Sequence, residues 1–248
     1  MSQLTNFQKV NAFNVAFGIG RSSTPDDKLF KLRWDLIQEE SEELYDAINR
    51  NDYVEILDAV SDILYVVHGA ADSFEQDFDK CLLEHDIVKL NVKQELSDIP
   101  FGVKRMEAVF QLESEKLKSL TCDYSKLVDS LKSSFETKDI SQIITKLAVV
   151  HNYLYQWADL FGFDLDYTFN MVHDSNMSKL AETEEIAQNT VKWYLENEKR
   201  YDSPAYRLST VKVNDMDRWV IYNANSGKAL KSINYHVVDF APLFTEIA

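Results

Sequence analysis

From Leu4 to Asn197 apolar side chains recur at spacings of three and four residues, a pattern that a bundle of α-helices buries and a β-sheet does not. Turn formers are scarce, with six Gly and four Pro in 248 residues, too few for the many reversals of an all-β fold. The periodicity predicts helices at about residues 4–17, 25–49, 52–74, 78–94, 104–119, 125–136, 140–161, 166–177 and 183–197. Thr24 is placed to cap the second of these, with Pro25 at its first position. Beyond Tyr201 the texture changes. Arg218–Tyr222, a polar Asn223–Gly227 and Lys228–Leu230 read as strand, turn and strand, a small C-terminal β-hairpin.

Asp62–Leu90 can be laid on Asn152–Leu180 without a gap, at an offset of 152 − 62 = 90. Ile63-Leu64-Tyr65 then meets Tyr153-Leu154-Tyr155, Glu84 meets Asp174, and Lys89-Leu90 meets Lys179-Leu180. The expected architecture is therefore a mainly α bundle of two tandem degenerate repeats, a pseudo-dimer within one chain. The repeats fall at residues 1–95 and 96–202, and the β appendage at 203–248.

A formal charge of −15 argues against a partner held through a phosphate backbone, which Lys and Arg would have to neutralise. No apolar run approaches the ~18 residues of a membrane span; the best, Ile63–Ala71, is broken by His68 and Gly69. Cys81 and Cys122 form no CxxC pair, and the opening Met-Ser-Gln-Leu-Thr lacks the features of a secretory leader. A cytoplasmic protein that binds neither nucleic acid nor membrane is expected.

Acidity becomes informative where helix phase places it. At 100° steps from Pro25, the residues Leu36, Ile37, Leu44, Ala47 and Ile48 form the apolar stripe, with Glu40 inside it and Glu43 on its border. Glu39 lies a little beyond, and Glu42 opposite. On the next helix Ile56, Leu57, Val60, Ile63, Leu64 and Val67 make one stripe, while Glu55, Asp58 and Asp62 share a second sector. From Ala59 to Ala71 that helix is apolar almost all round, which marks it as buried. Carboxylates that converge in an interior repel one another and lose hydration unless a cation compensates. An all-oxygen set suits Mg²⁺ or Mn²⁺, and the five His show no zinc-ligand spacing.

Glu39-Glu40-x-x-Glu43 followed by Glu55-x-x-Asp58 resembles the EExxE and ExxD signature of the all-α nucleoside triphosphate pyrophosphohydrolases, which include MazG-like, dimeric dUTPase-like and phosphoribosyl-ATP pyrophosphohydrolase-like proteins. Further segments are similar to the last of these. They are the Asp58–Gly69 helix (DAxxDxxYVxxG), Val172–Lys179 (VHxSNMSK) and Ser226–Tyr235 (GKxxKxxxY). The resemblance implies Mg²⁺-dependent hydrolysis of a nucleoside triphosphate between the α and β phosphates, with Mn²⁺ as an alternative ion. It makes Glu39, Glu40, Glu43, Glu55, Asp58 and Asp62 the expected metal residues and Glu39 or Glu40 the expected proton acceptor. Asn176, Lys179, Lys228 and Lys231 are the expected substrate contacts.

The first repeat keeps the acids but has Glu84-His-Asp-Ile-Val-Lys89 where SNMSK belongs. The second keeps Ser175–Lys179 but has no Asp or Glu between Ile140 and Ala158. Because the family works as dimers or larger assemblies of one unit, one composite site per chain is expected, with further homodimerisation open. Two alternatives stand beside the general enzyme: a dedicated dUTP or phosphoribosyl-ATP pyrophosphohydrolase, and a non-catalytic nucleotide-binding or scaffold protein. Trp34, Tyr65 and Tyr155 are aromatics near these segments, but aromatic residues at helical spacing are ordinarily core.

Overall fold

The structure, a computed structural model, describes residues 4–85, 90, 92–213, 215–225 and 227–244. The expected counterpart of SNMSK in the first repeat, Asp86–Lys89, and Ser226 of the closing segment lie outside them. By packing the chain divides into two compact units: residues 21–170 with the two ends 1–7 and 239–248, and residues 8–20 with 171–238. Among the described residues no helix is long and apolar enough to cross a membrane.

Two helical hairpins form the core of the first unit. α2 (Asp27–Arg50) ends at Asn51, whose left-handed φ of 54° turns the chain, and Asp52 caps α3 (Tyr53–Ser73) by accepting the Glu55 N–H at 3.4 Å. α7 (Ser114–Thr137) ends at Lys138, φ 56°, and Asp139 caps α8 (Ile140–Phe161) by accepting the Gln142 N–H at 3.0 Å. A two-residue connection leaves each pair antiparallel and in contact along its length. The correspondence runs on without a gap. Asp77 caps α4 (Phe78–Leu83) and Asp164 caps the start of α9 (Leu165–Met177), and 139 − 52 = 164 − 77 = 87. At this spacing the buried residues Leu44, Ile56, Val60, Val67 and Phe74 correspond to the equally buried Leu131, Ile143, Leu147, Leu154 and Phe161. Element boundaries thus recur at 87 positions, three fewer than the offset that matched the sequence segments.

Local chemistry explains the other boundaries. α2 is capped by Asp26, which accepts the Leu29 N–H at 2.9 Å, so the helix opens two residues after Pro25 and Thr24 is not its cap. Residues 104–136 break at Glu113 rather than near 120, giving α6 (Val103–Leu112) and α7. The Glu113 carboxylate is buried and held by Lys116 at 3.2 Å and Lys93 at 3.8 Å, whereas Leu117, Leu120 and Tyr124 carry the apolar period of α7 straight through the expected gap. The helix expected at 78–94 is α4, followed after the undescribed residues by the one-turn α5 (Gln94–Ser97).

In the second unit α10 (Glu184–Asn197) covers an antiparallel sheet, β1 (Pro204–Leu208), β2 (Trp219–Asn223) and β3 (Ala229–Leu230), in that order. Ala181, Ala187, Tyr194, Ile221 and Leu230 form its core. The β2–β3 pair is the hairpin expected from sequence; β1 adds a strand that lacks alternation and is specified by pairing Tyr206 with Ile221. The end of β1 and the residues after it close the C-terminus of α1 (Asn6–Phe17). Arg207, Ser209 and Thr210 donate to the Phe17, Ala16 and Val15 carbonyls at 2.6, 2.9 and 2.7 Å, satisfying groups that a helix end leaves open. Gly18 is required there: its φ is +63°, and a Cβ would stand 2.6 Å from Arg207 Nη2.

Candidate active site

The α2–α3 hairpin sets two rows of carboxylates against each other. Its tight turn brings Glu40 level with Asp62, and Glu43 level with Asp58 and Glu55. Burial, followed by the charges of Asp62, Glu43, Glu39 and Asp58, pushes the Glu40 carboxyl up to about 8. Burial, then Glu55 and Glu43, lifts Asp58 to about 6. Glu43 is raised by burial, then by Glu39 and Glu55. All six acids named from sequence therefore act on one another as one wall.

Exposure within the wall is graded. Glu40, Asp58 and Asp62 are half-buried; Glu39, Glu43 and Glu55 are exposed. Glu43 thus stands at the rim, at the border of the apolar stripe. Glu42 faces water and accepts from Gln38 Nε2 at 2.7 Å. Among the described residues no three Asp, Glu, His or Cys side chains converge closely enough to ligate one ion as they stand. The donor set nevertheless fits a hard divalent cation. It is all oxygen, burial and neighbouring charge raise Glu40, Glu43 and Asp58 above the ordinary carboxylate range, and the buried Asp58 Oδ1 has no hydrogen-bond partner.

The α7–α8 hairpin carries Lys126, Leu127, Ser130, Gln142, Thr145 and Val149 at the positions corresponding to Glu39, Glu40, Glu43, Glu55, Asp58 and Asp62. A side-chain cation sits here. Lys146 Nζ donates to the Ser130 carbonyl at 2.7 Å and to Ser134 Oγ at 2.6 Å. This hairpin offers a metal ion no carboxylate at any of the six positions.

The SNMSK and closing segments lie together in the second unit. Ser175 Oγ donates to the His236 carbonyl at 2.9 Å and to Tyr235 Oη at 3.3 Å, and Lys179 O accepts the Ser232 N–H at 3.3 Å. Lys179 Nζ donates to Asn176 Oδ1 at 2.5 Å, and Lys231 Nζ lies 4.4 Å from the centre of the Tyr235 ring. Lys228 and Lys231 are exposed. Ser175, Ser178 and Tyr235 anchor this cluster, a role that their spacing alone did not reveal. Three aromatics near the expected site are accounted for by packing: Trp34 lies on Phe135, Tyr65 stacks on Phe169, and Tyr155 donates to Asp166 at 2.6 Å.

A hairpin walled by carboxylates in an all-helical core is the arrangement of a nucleotide-cleaving enzyme class, and the comparisons agree. Residues 13–86, which include all six acids, match the family described as phosphoribosyl-ATP pyrophosphohydrolase. Residues 13–86 thus form a domain of the phosphoribosyl-ATP pyrophosphohydrolase type, a type that belongs to the all-α, MazG-like nucleoside triphosphate pyrophosphohydrolase superfamily. An uncharacterized protein of Acanthamoeba polyphaga mimivirus is 35% identical over 256 residues, a match covering 96% of this chain and 95% of the relative. No solved structure matches.

Proposed function

We propose that the protein is a Mg²⁺-dependent pyrophosphohydrolase that cleaves a (deoxy)nucleoside triphosphate between the α and β phosphates. The observation that carries this reading is the carboxylate wall, in which Glu40 and Asp58 hold protons well above the ordinary carboxylate range until a cation replaces them. Glu40, Glu43, Asp58 and Asp62 would hold Mg²⁺ or Mn²⁺, with Glu39 and Glu55 at the edges. Bound there, the ion offsets triphosphate charge and makes a coordinated water more acidic.

Beyond holding the ion, the protein's own residues have two tasks. Glu39, exposed at the rim, or Glu40 beside it, accepts the proton of the attacking water as its oxygen bonds to the α-phosphorus. The bond from that phosphorus to the bridging oxygen breaks, and pyrophosphate leaves with the electron pair. Asn176, Lys179, Lys228 and Lys231 are assigned to the substrate on the resemblance of their segments, and Lys179→Ala tests that assignment. The α7–α8 hairpin, which lacks a carboxylate at all six corresponding positions and is matched to α2–α3 element by element, supports the further reading of one internal pseudo-dimer with a single site. Two free thiols, Cys81 and Cys122, suit a reducing compartment, and we place the protein in the cytoplasm.

Pyrophosphate release from a panel of NTPs, dNTPs and phosphoribosyl-ATP, with Mg²⁺ or Mn²⁺ and with Glu43→Ala as control, tests this. Broad metal-dependent turnover supports the general enzyme. Turnover confined to dUTP or phosphoribosyl-ATP marks a dedicated one, and none on any nucleotide leaves a binding or scaffold protein.

A further inference from the structure

Two grooves run between α2 and α7 in the first unit, and they are counterparts of each other. Each of the ten residues that line the smaller, about 370 Å³, recurs 87 positions away in the lining of the larger, about 730 Å³. Phe30, Trp34 and Phe135 of the first correspond to Leu117, Thr121 and Ile48 of the second. The first groove is narrowed by the chain itself, because the Trp34 indole packs against Phe135 with ring centres 5.7 Å apart. In the second, Thr121 and Ile48 replace the two rings and leave the space open. The fold thus shows, in one half, the kind of group that fits the other: a flat aromatic ring.

The second groove also differs in charge. Asp27, Asp35 and Glu136 line the first, but no carboxylate lines the second, where Lys118 and Lys126 stand. Their ion pairs, with Glu115 at 3.1 Å and Asp123 at 2.9 Å, are exposed and weak enough to yield to a ligand. In a chain of net charge −15 such a rim selects an anion. Inside, Phe110 and Leu117 supply apolar walls, and the Tyr45 hydroxyl is buried beside Ser125 without a well-formed hydrogen bond. The volume lies within the range of small-molecule sites. Around α2, Tyr45 is roughly 140–200° from Glu40 and Glu43, so the groove and the acid wall are on different faces.

We infer that this groove is a second nucleotide site, which takes a nucleoside monophosphate with its base where the Trp34 indole sits in the twin groove and its phosphate between Lys118 and Lys126. Cys122, an exposed free thiol in the groove wall, gives a direct readout. The full-length protein, in excess chelator to silence metal-dependent binding, is titrated with AMP, GMP, CMP and UMP. Modification of Cys122 by a maleimide is followed by peptide mapping.

At a nucleotide concentration about ten times its Kd, Cys122 labelling is expected to slow about tenfold while Cys81 is unaffected; inorganic phosphate or the free nucleoside slows it less than about twofold. Thr121→Trp, which places an indole where the twin groove has Trp34, is expected to abolish protection and leave metal-dependent pyrophosphate release within about twofold of wild type. Labelling unchanged up to about 10 mM of all four nucleotides overturns the inference, as does protection that survives Thr121→Trp. If that variant does not fold, the surface double variant Lys118→Glu/Lys126→Glu takes its place, and affinity must fall at least about tenfold. Protection without any nucleotide hydrolysis by the wild type would sink the reading of the acid wall and leave this site standing.

Discussion

The α2–α3 and α7–α8 hairpins share lengths, turn geometry and Asp caps, yet one is walled with carboxylates and the other with Lys126, Ser130 and Thr145. The difference separates what a fold needs from what a site needs. The turn and the apolar core positions are kept on both sides because both hairpins must bury the same face. The acids are present on one side alone, although a cluster of carboxylates that repel one another opposes folding. Retaining them there is a cost that a bound cation would offset.

The comparison breaks most sharply if the acids prove dispensable. Glu40→Gln or Glu43→Ala is expected to lower kcat/KM by about 10³ or more, while Ser130→Ala, at the counterpart of Glu43, stays within about twofold. Equal effects on both hairpins in a pyrophosphate-release assay would end the distinction. Lys179→Ala is expected to reduce kcat/KM by about tenfold to a hundredfold through lost phosphate contact, and steady-state kinetics indistinguishable from wild type would remove it from the substrate contacts.

Stability tests the other half of the comparison. Leu44→Ala and Leu131→Ala should each cost about 2–5 kcal/mol in urea unfolding, because both are fully buried at corresponding places. A cost confined to one of them would show that the hairpins do not share a core. The acids make the metal-free protein pH-sensitive in a definite direction. Glu40 and Asp58 are raised above their unfolded values, so their stabilising contribution is full below about pH 4 and is lost as pH rises through about 6 and 8. Saturating Mg²⁺ should raise Tm by about 5 °C at pH 8 and progressively less toward pH 5, and Glu40→Gln should flatten that trend. A metal effect independent of pH would contradict the assignment.

The smallest expected effect concerns His68, whose counterpart on α8 is Tyr155. Tyr155 donates to Asp166, whereas both ring nitrogens of the fully buried His68 lack partners. Burial, followed by His151, holds His68 well below the usual imidazole range. The unfolded chain therefore takes up a proton there below about pH 6.5, and stability falls as pH drops. His68→Phe should change stability at pH 7 by about 1 kcal/mol or less and soften the acid limb of the curve. A loss of several kcal/mol would mean that the imidazole makes an essential contact.

Helical periodicity was enough to locate long helices such as α8 to the residue, because apolar spacing reports directly on the face that is buried. Helix phase likewise put Glu40 inside the apolar stripe and Glu43 on its border, as burial has them. It did not separate the exposed Glu55 from the half-buried Asp58 and Asp62, since 100° steps give direction around a helix but not how far the neighbouring helix reaches over it. The break at Glu113 was hidden because its cause, a buried carboxylate held by Lys93 and Lys116, joins residues 20 apart in sequence. β1 escaped for a similar reason, being defined by its pairing with β2.

By itself the sequence determined the helical class and the acidic signature, because spacing and residue type are local properties that survive without coordinates. Only the tertiary structure decided that element boundaries of the hairpins recur at 87 positions, that SNMSK is anchored by Ser232–His236, and that Trp34 narrows one groove while Thr121 leaves its twin wider. These facts depend on which surfaces meet. Side-chain volume, burial and mutual repulsion take their values only when distant segments are brought to within a few ångströms of each other.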